Sequence, residues 1–151
     1  MANRITVKLE GEQELIDKLK RMGAGAERVL RGAVEAGAEI VRDDSSRQAP
    51  GPHVERETRR ASPGRVEVAV GPDKPHWYYK FAETGAIPHT ITGSPRLAFP
   101  AGGRMIVVSA VHHPGMGARP FLRPALDKNR QEVVDTVGRL VRALVERETA
   151  G

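Results

Sequence analysis

The sequence predicts an α+β fold in which an antiparallel β-sheet is packed by a long N-terminal helix and a long C-terminal helix, with long irregular loops. Three observations support this class. Short segments alternate apolar and polar residues, as half-buried strands do. Two long segments repeat apolar residues at the helical period. The helices and strands do not alternate along the chain as they would in a parallel α/β fold. The 151 residues suit a single domain, 1–151.

The first half of the chain is predicted to contain two strands and two helices. Residues 4–10 and 65–70 alternate strictly and indicate strands, and the segment from Glu12 to about Met22 indicates a short helix. A longer helix is predicted from about Ala26 to Arg47, and its inner stripe is rich in Ala and Gly, which requires a closely packed neighbour. Residues 49–64 are polar, charged and bracketed by Pro and Gly, and we expect them to form a mobile loop.

The second half is predicted to contain two strands and a long helix. A second irregular loop is expected over about 86–96. Residues 97–99 and 105–111 then indicate two strands joined by a turn at 100–104. The latter strand is apolar on both faces, which is typical of a central or an interface strand. Residues from about 124 to 148 carry one apolar stripe and predict a helix of roughly 37 Å at 1.5 Å per residue.

The composition excludes several classes of protein. The chain has no cysteine, which excludes disulfides, iron–sulfur clusters, thiol nucleophiles and cysteine-based zinc sites. No apolar run is long enough for a membrane span, and the N-terminus lacks a signal-peptide core, so we expect a soluble protein that is not exported. The net charge of +5 and the excess of 18 Arg over 6 Lys favour acidic partners or bidentate pairing at interfaces.

No catalytic constellation is evident in the sequence, and we expect no enzymatic activity. His112, His113 and Glu83 could be imagined around a metal ion, but their spacing matches no metal-binding motif, so solvated loop histidines are the better interpretation. Asp43 and Asp44 diverge by about 100° on a helix, which favours a solvated helix end over a carboxylate pair. We therefore predict neither a metal nor a cofactor.

The serines and the glycine-rich segments do not indicate nucleophilic catalysis or phosphate binding either. None of the five serines stands in a nucleophile-elbow or S-x-x-K motif. The segments at 100–104 and 115–119 are glycine-rich and contain an Arg, but neither carries the P-loop pattern, and the first joins two predicted antiparallel strands. Both are interpreted as turns.

Two segments contain residue patterns that a generic globular domain does not require. Residues 77–85, WYYKFAETG, concentrate aromatic residues, which could form a buried anchor or an exposed hot spot for a partner. Residues 118–126, ARPFLRPAL, frame an apolar pair with two prolines directly before the last helix, and Pro124 suits a first helical turn. Phe121 and Leu122 are expected to pack against the sheet.

These two segments also carry a resemblance. A helix ending near Ala49, a V-x-V-x-V-G-P strand, the spacing of Tyr78, Glu83 and Gly85, and the segment 119–126 follow one another in an order that resembles the HK97-type phage gene-product-ten-like family. The resemblance covers nearly the whole chain. One departure is the stretch GPHVERETRRAS after Ala49-Pro50, where family members usually have Thr-Gly-x-Leu-Arg.

The resemblance implies a virion structural protein of the head–tail joint in long-tailed phages, a neck or tail-completion subunit in a ring around the DNA channel, assembled in the host cytoplasm. The ring would be six-fold, as tails are. The expected partners are further copies of the chain, connector or head-completion proteins, tail-terminator or tail-tube proteins and DNA in the channel. The expected assembly residues are Trp77, Tyr78, Tyr79, Glu83, Thr84, Gly85, Arg119, Pro120, Phe121, Leu122, Arg123 and Pro124. Arg56, Arg59, Arg60 and Arg104 are candidates for contacts with DNA or an acidic partner.

The alternative is a small basic nucleic-acid-binding domain, which the pI of about 10.0 favours. The sequence lacks the alternating aromatic and basic residues of a single-strand platform and any recognisable helix-turn-helix. The charge is therefore the only sequence feature that supports this alternative.

Overall fold

The structure is a computed structural model that describes residues 17, 20–62 and 64–150. In chain order the elements are α1 (Ala24–Gln48), β1 (Val54–Ser62), β2 (Arg65–Pro72), α2 (Tyr79–Thr84), β3 (His89–Ala101), β4 (Arg104–His113) and α3 (Leu122–Thr149). The predicted α+β class is confirmed, with helices near both ends of the described chain and antiparallel strands between them. The predicted strand at 4–10 and most of the predicted helix at 12–22 lie outside the described residues; residues 17 and 20–22 are helical.

The core is mainly aliphatic, and most of it is supplied by α1, α3 and one face of β2. Each of the two long helices buries a single stripe, because its apolar residues recur every three or four positions. In β2 alternate residues are buried, as the strand pattern predicted. The buried apolar residues of these three elements are Ala26, Val29, Leu30, Ala33, Val34, Ala38, Val41, Val66, Val68, Val70, Leu122, Ala125, Val133, Val137, Val141 and Val145.

Helices α1 and α3 pack closely at Gly37. A Cβ atom added to this residue would lie 2.8 Å from a methyl group of Val137 and 3.1 Å from one of Val133. The absent side chain lets the helices approach, which confirms that the Ala- and Gly-rich stripe of α1 needs a close neighbour. Ala49 follows the last residue of α1 in an extended conformation, which suits a residue that precedes proline.

Strands β1 and β2 form a two-stranded antiparallel sheet, so the prediction of a loop over 49–64 is wrong for residues 54–62. Only Val54 of β1 is buried, and the strand therefore lacks the apolar alternation that would reveal it. Polar contacts to α1 fix it instead. Arg56 pairs with Glu39 at 2.7 Å and with Glu35 at 3.3 Å, and the Thr58 hydroxyl donates to Glu35 at 2.7 Å.

Strands β3 and β4 form a second, separate two-stranded antiparallel sheet, which we call the ribbon (residues 89–113). The prediction of a loop over 86–96 is wrong from His89 onward, because β3 begins there. An irregularity between Thr92 and Leu97 interrupts its alternation and hides the strand in the sequence. The predicted turn is confirmed at Gly102 and Gly103, which both have a positive φ.

Among the described residues, none of the helices combines the length and the apolar character that crossing a bilayer requires.

Candidate functional site

The two conspicuous sequence segments meet at the buried carboxylate of Glu83. Its Oε2 accepts hydrogen bonds from the backbone N–H groups of Phe121 (2.7 Å) and Leu122 (2.9 Å), and its Oε1 accepts one from Arg123 (3.0 Å). The first N–H groups of a helix have no partner within the helix, and Phe121 supplies no side-chain cap to α3. Glu83 therefore caps α3 from a distant part of the chain, and its negative charge suits the positive end of the helix dipole.

Backbone contacts reinforce this connection. Gly85 has a φ of 74°, and a Cβ atom there would lie 2.9 Å from the carbonyl oxygen of Met116. Ala86 and Met116 exchange two backbone hydrogen bonds of 2.9 and 2.8 Å, and the N–H of Arg119 donates to the carbonyl of Ala82 at 2.6 Å. The Glu-Thr-Gly turn and the segment before α3 thus form one structural unit.

The structure divides the predicted assembly residues into two groups. Tyr79, Glu83, Phe121 and Leu122 are buried within the chain, and the Tyr79 and Phe121 rings meet edge to face at 6.4 Å. These four side chains belong to the core of the chain, and their part in assembly stays a prediction. Gly85 is half-buried, while the remaining members of the set are exposed: Trp77, Tyr78, Thr84, Arg119, Pro120, Arg123 and Pro124.

An exposed aromatic patch is formed by Trp77, Tyr78 and Phe81. Trp77 is 55% exposed and Tyr78 is 50% exposed, and the Trp77 ring lies 5.9 Å from that of Phe81. The Lys80 ammonium lies over the Trp77 ring at 4.6 Å from its centroid. Trp77 and Lys80 also line an open groove of about 750 Å³ beside the end of β2. Large exposed aromatic side chains of this kind are typical of binding hot spots.

The ribbon exposes apolar side chains on both faces. Cross-strand pairing places Leu97, Phe99, Ile106 and Val108 on one face and Ala98, Pro100, Met105 and Val107 on the other. Met105 is 64% exposed and Val107 is 52% exposed, and no residue of either strand is fully buried. Apart from their mutual pairing, β3 and β4 do not pack extensively against any other described element. The expectation of a central strand at 105–111 is therefore wrong, and the expectation of an interface strand stays a prediction.

The four candidate arginines differ in their surroundings. Arg56 is paired with two glutamates of α1, and the side-chain hydrogen bond to Glu39 is the main reason that the pKa of Arg56 is raised. Arg59 pairs with Glu57 at 2.8 Å. Arg60 is exposed on β1, and Arg104 is exposed at the turn of the ribbon. Internal pairing thus neutralises the charge of two of the four residues.

The histidines considered in the sequence do not form a site with Glu83. The Glu83 carboxylate is occupied by three backbone donors, and His113 stacks on His89 at the base of the ribbon with ring centroids 5.0 Å apart. His112 is exposed on β4. Among the described residues, Glu83 therefore does not form a metal-binding cluster with His112 and His113.

A different cluster brings His53, Asp73 and His76 together, and sequence reasoning missed it. The rings of His53 and His76 stack at 3.4 Å, and their Nδ1 atoms lie 3.4 and 2.5 Å from the two oxygens of Asp73. Burial would raise the pKa of Asp73, but hydrogen bonds from the His76 side chain and backbone outweigh it, and the pKa is lowered. The pairing of β1 with β2 brings His53, which precedes β1, next to Asp73, which follows β2. This contact was missed because the sequence analysis did not predict β1.

Asp44 is buried, so the expectation of a solvated helix end is wrong for this residue. Its carboxylate lies 3.0 Å from Arg47, 2.9 Å from Asn129 and 3.3 Å from Lys128, and these contacts, led by the hydrogen bond from Arg47, lower its pKa. Asn129 also donates to the carbonyl of Ala125 at 2.7 Å. Asp44 is a polar link between α1 and α3.

Comparison of the chain with protein-family models, with curated proteins and with solved structures finds no match.

Proposed function

We propose that this protein is a structural subunit of the head–tail joint of a long-tailed phage, where copies of the chain form a ring around the DNA channel and link the capsid connector to the tail. The observation that carries the proposal is the ribbon, whose paired, apolar surface does not pack extensively against any other described element. The combination of Glu-Thr-Gly with the segment 119–126 supports the same family resemblance.

The ribbon is suited to a contact between subunits. An isolated two-stranded sheet is marginally stable in water, and no other described strand pairs with the outer edge of β3 or β4. At about 3.3 Å per residue, the 10 residues of β4 extend roughly 33 Å. A neighbouring subunit that covered Met105, Val107 and their face would stabilise the ribbon by burying its apolar surface.

A closed ring needs two different surfaces on each subunit, because a head-to-tail contact joins unlike patches. The aromatic patch of Trp77, Tyr78 and Phe81 is a second exposed apolar surface and belongs to the body of the chain. We propose that the ribbon of one subunit packs against this patch of the next. Arg104 at the ribbon turn would then reach a neighbour or the channel.

Complementation in the phage or prophage that carries the gene tests this function. The gene is deleted and replaced by the wild type or by the double variant Met105→Glu/Val107→Glu, and lysates are examined by electron microscopy. The deletion and the double variant are expected to give filled heads beside free tails. Both substituted side chains are exposed, so the variant should fold, which circular dichroism verifies.

Val134→Glu is the matched control, because Val134 is an exposed valine on α3 (43% exposed) outside both surfaces. It is expected to restore intact particles. Intact particles from the deletion would exclude the joining role. Intact particles from the double variant alone would exclude the ribbon as the assembly surface.

A further inference from the structure

We infer that His53, Asp73 and His76 form a binding site for a divalent transition-metal ion of the zinc type. One ligand atom from each residue lies within 4.8 Å of the other two. Two imidazoles and a carboxylate are a donor set that suits zinc and its neighbours rather than magnesium or calcium. The inference does not depend on the proposed function.

The backbone holds the three residues in place without a metal. The N–H of Asp73 donates to the carbonyl of His53 at 3.0 Å, and the N–H of His76 donates to the Asp73 carbonyl at 3.1 Å and to its carboxylate at 2.9 Å. Each of the three residues also directly follows a proline, at positions 52, 72 and 75. Proline restricts φ and so reduces the freedom of the backbone before each ligand.

The surrounding side chains restrict the imidazole rings. The buried ring of Tyr79 lies 6.3 Å from the His53 ring and 5.6 Å from the His76 ring. Gly51 leaves room for the hydroxyl of Tyr79, because a side chain at this position would collide with it. The two imidazoles are therefore stacked beside a fixed aromatic ring.

The interatomic distances suit coordination once the imidazole rings rotate out of their stacked arrangement, because each ring binds a metal in its own plane and the two rings are nearly parallel with centroids 3.4 Å apart. Zinc–nitrogen and zinc–oxygen bonds of about 2.0–2.2 Å separate tetrahedral ligand atoms by about 3.3 Å. The Nδ1 of His53 already lies 3.4 Å from Asp73 Oδ2, and that of His76 lies 2.5 Å from Oδ1. Metal binding would replace the direct contact between the His76 Nδ1 atom and the Asp73 carboxylate.

The site has one open side. The His53 side chain is 41% exposed, whereas the side chains of Asp73 and His76 are 16% and 23% exposed. Three protein ligands leave a fourth position for water or for a side chain of another molecule. The bound ion would join the open end of the β1–β2 sheet to the turn that carries Trp77 and Tyr78.

Calorimetric titration of the untagged full chain with zinc chloride, in a buffer that does not chelate metals, tests the site. Because the chain contains no cysteine, thiolates cannot contribute to binding. We expect saturable binding of one ion per chain and a Tm that rises with zinc concentration and falls on addition of EDTA. Absence of binding at about 1 mM zinc would overturn the inference.

Substitution of the proposed ligands tests whether zinc binds at this cluster. His53→Gln and Asp73→Asn are each expected to weaken zinc binding about tenfold or more, since even the loss of an outer partner of a ligand costs that much. His53→Gln is the principal variant because its side chain is the most exposed of the three, and its metal-free Tm should match that of the wild type. His89→Ala is the control, since it removes a histidine of the other stacked pair and should leave the affinity unchanged. Unchanged affinity in His53→Gln, or loss of affinity in His89→Ala, would refute this assignment.

Discussion

The carboxylate of Glu83 lies 2.7 Å from the backbone nitrogen of Phe121, although the two residues are 38 positions apart. The contact joins the end of α2 to the beginning of α3 and satisfies N–H groups that the helix itself cannot. It gives a structural reason for the Glu-Thr-Gly and Arg-Pro-Phe-Leu sequences to occur together. The fold itself therefore requires both sequences, whether or not they also contribute to an assembly surface.

Removal of this cap is expected to destabilise the chain. Glu83→Ala leaves three N–H groups at the start of α3 without an acceptor, and we expect a loss of about 2–4 kcal/mol in the free energy of unfolding, measured by urea denaturation. Glu83→Gln keeps one acceptor oxygen and should lose less. Glu132→Gln changes an exposed glutamate of α3 and serves as the control. A loss below about 0.5 kcal/mol in Glu83→Ala would contradict the capping role.

Phe121 is expected to be a large contributor to stability. Its side chain is 1% exposed and meets the ring of Tyr79, so Phe121→Ala should cost about 3–5 kcal/mol in a denaturation experiment. Phe81→Ala removes a more exposed ring, 38% exposed, and should cost clearly less. If Phe121→Ala cost less than about 1 kcal/mol yet abolished assembly, Phe121 would lie at an interface instead.

Two glycines of α1 should respond oppositely to alanine. Gly32 has open space around its Cβ position, so Gly32→Ala is expected to stabilise the helix by about 0.5–1 kcal/mol. In Gly37→Ala the same gain in propensity is opposed by contact with Val137, and we expect a net loss. Thermal unfolding compares the two variants directly. A Gly37→Ala variant as stable as Gly32→Ala would show that α1 and α3 do not pack closely there.

Asp44 should make stability depend on acid pH. Because its pKa is lowered in the folded chain, its contribution is complete above the unfolded pKa of about 4 and is lost as the pH falls through the folded value. Asp44→Asn resembles the protonated form, so its Tm should lie below that of the wild type at neutral pH, and the difference should shrink below about pH 4.

The exposed carboxylate of Asp127 provides the comparison for this titration. Asp127→Asn is expected to change the Tm little at neutral pH, because exposed ion pairs contribute little to stability. If the Tm difference between Asp44→Asn and the wild type stayed constant across the acid range, the ionised carboxylate of Asp44 would not contribute to stability.

The sequence by itself determined the helices α1 and α3, the strand β2 and the turn at Gly102 and Gly103. In each case the necessary information is local, since apolar periodicity and turn residues act within a few positions of one another. The need for a close neighbour at the Ala- and Gly-rich stripe of α1 was also evident from the sequence, although its identity as α3 was not.

Only the tertiary structure decided where β1 and the first part of β3, residues 89–96, form, because each depends on a partner strand and lacks a continuous apolar alternation of its own. It also decided that Glu83 caps α3, that Asp44 is buried and that His53 meets Asp73 and His76. These relationships join residues from about 20 to about 85 positions apart. A side chain becomes a cap, a buried ion partner or a metal ligand through neighbours in space, and the packing of α1, α3 and β2 selects those neighbours.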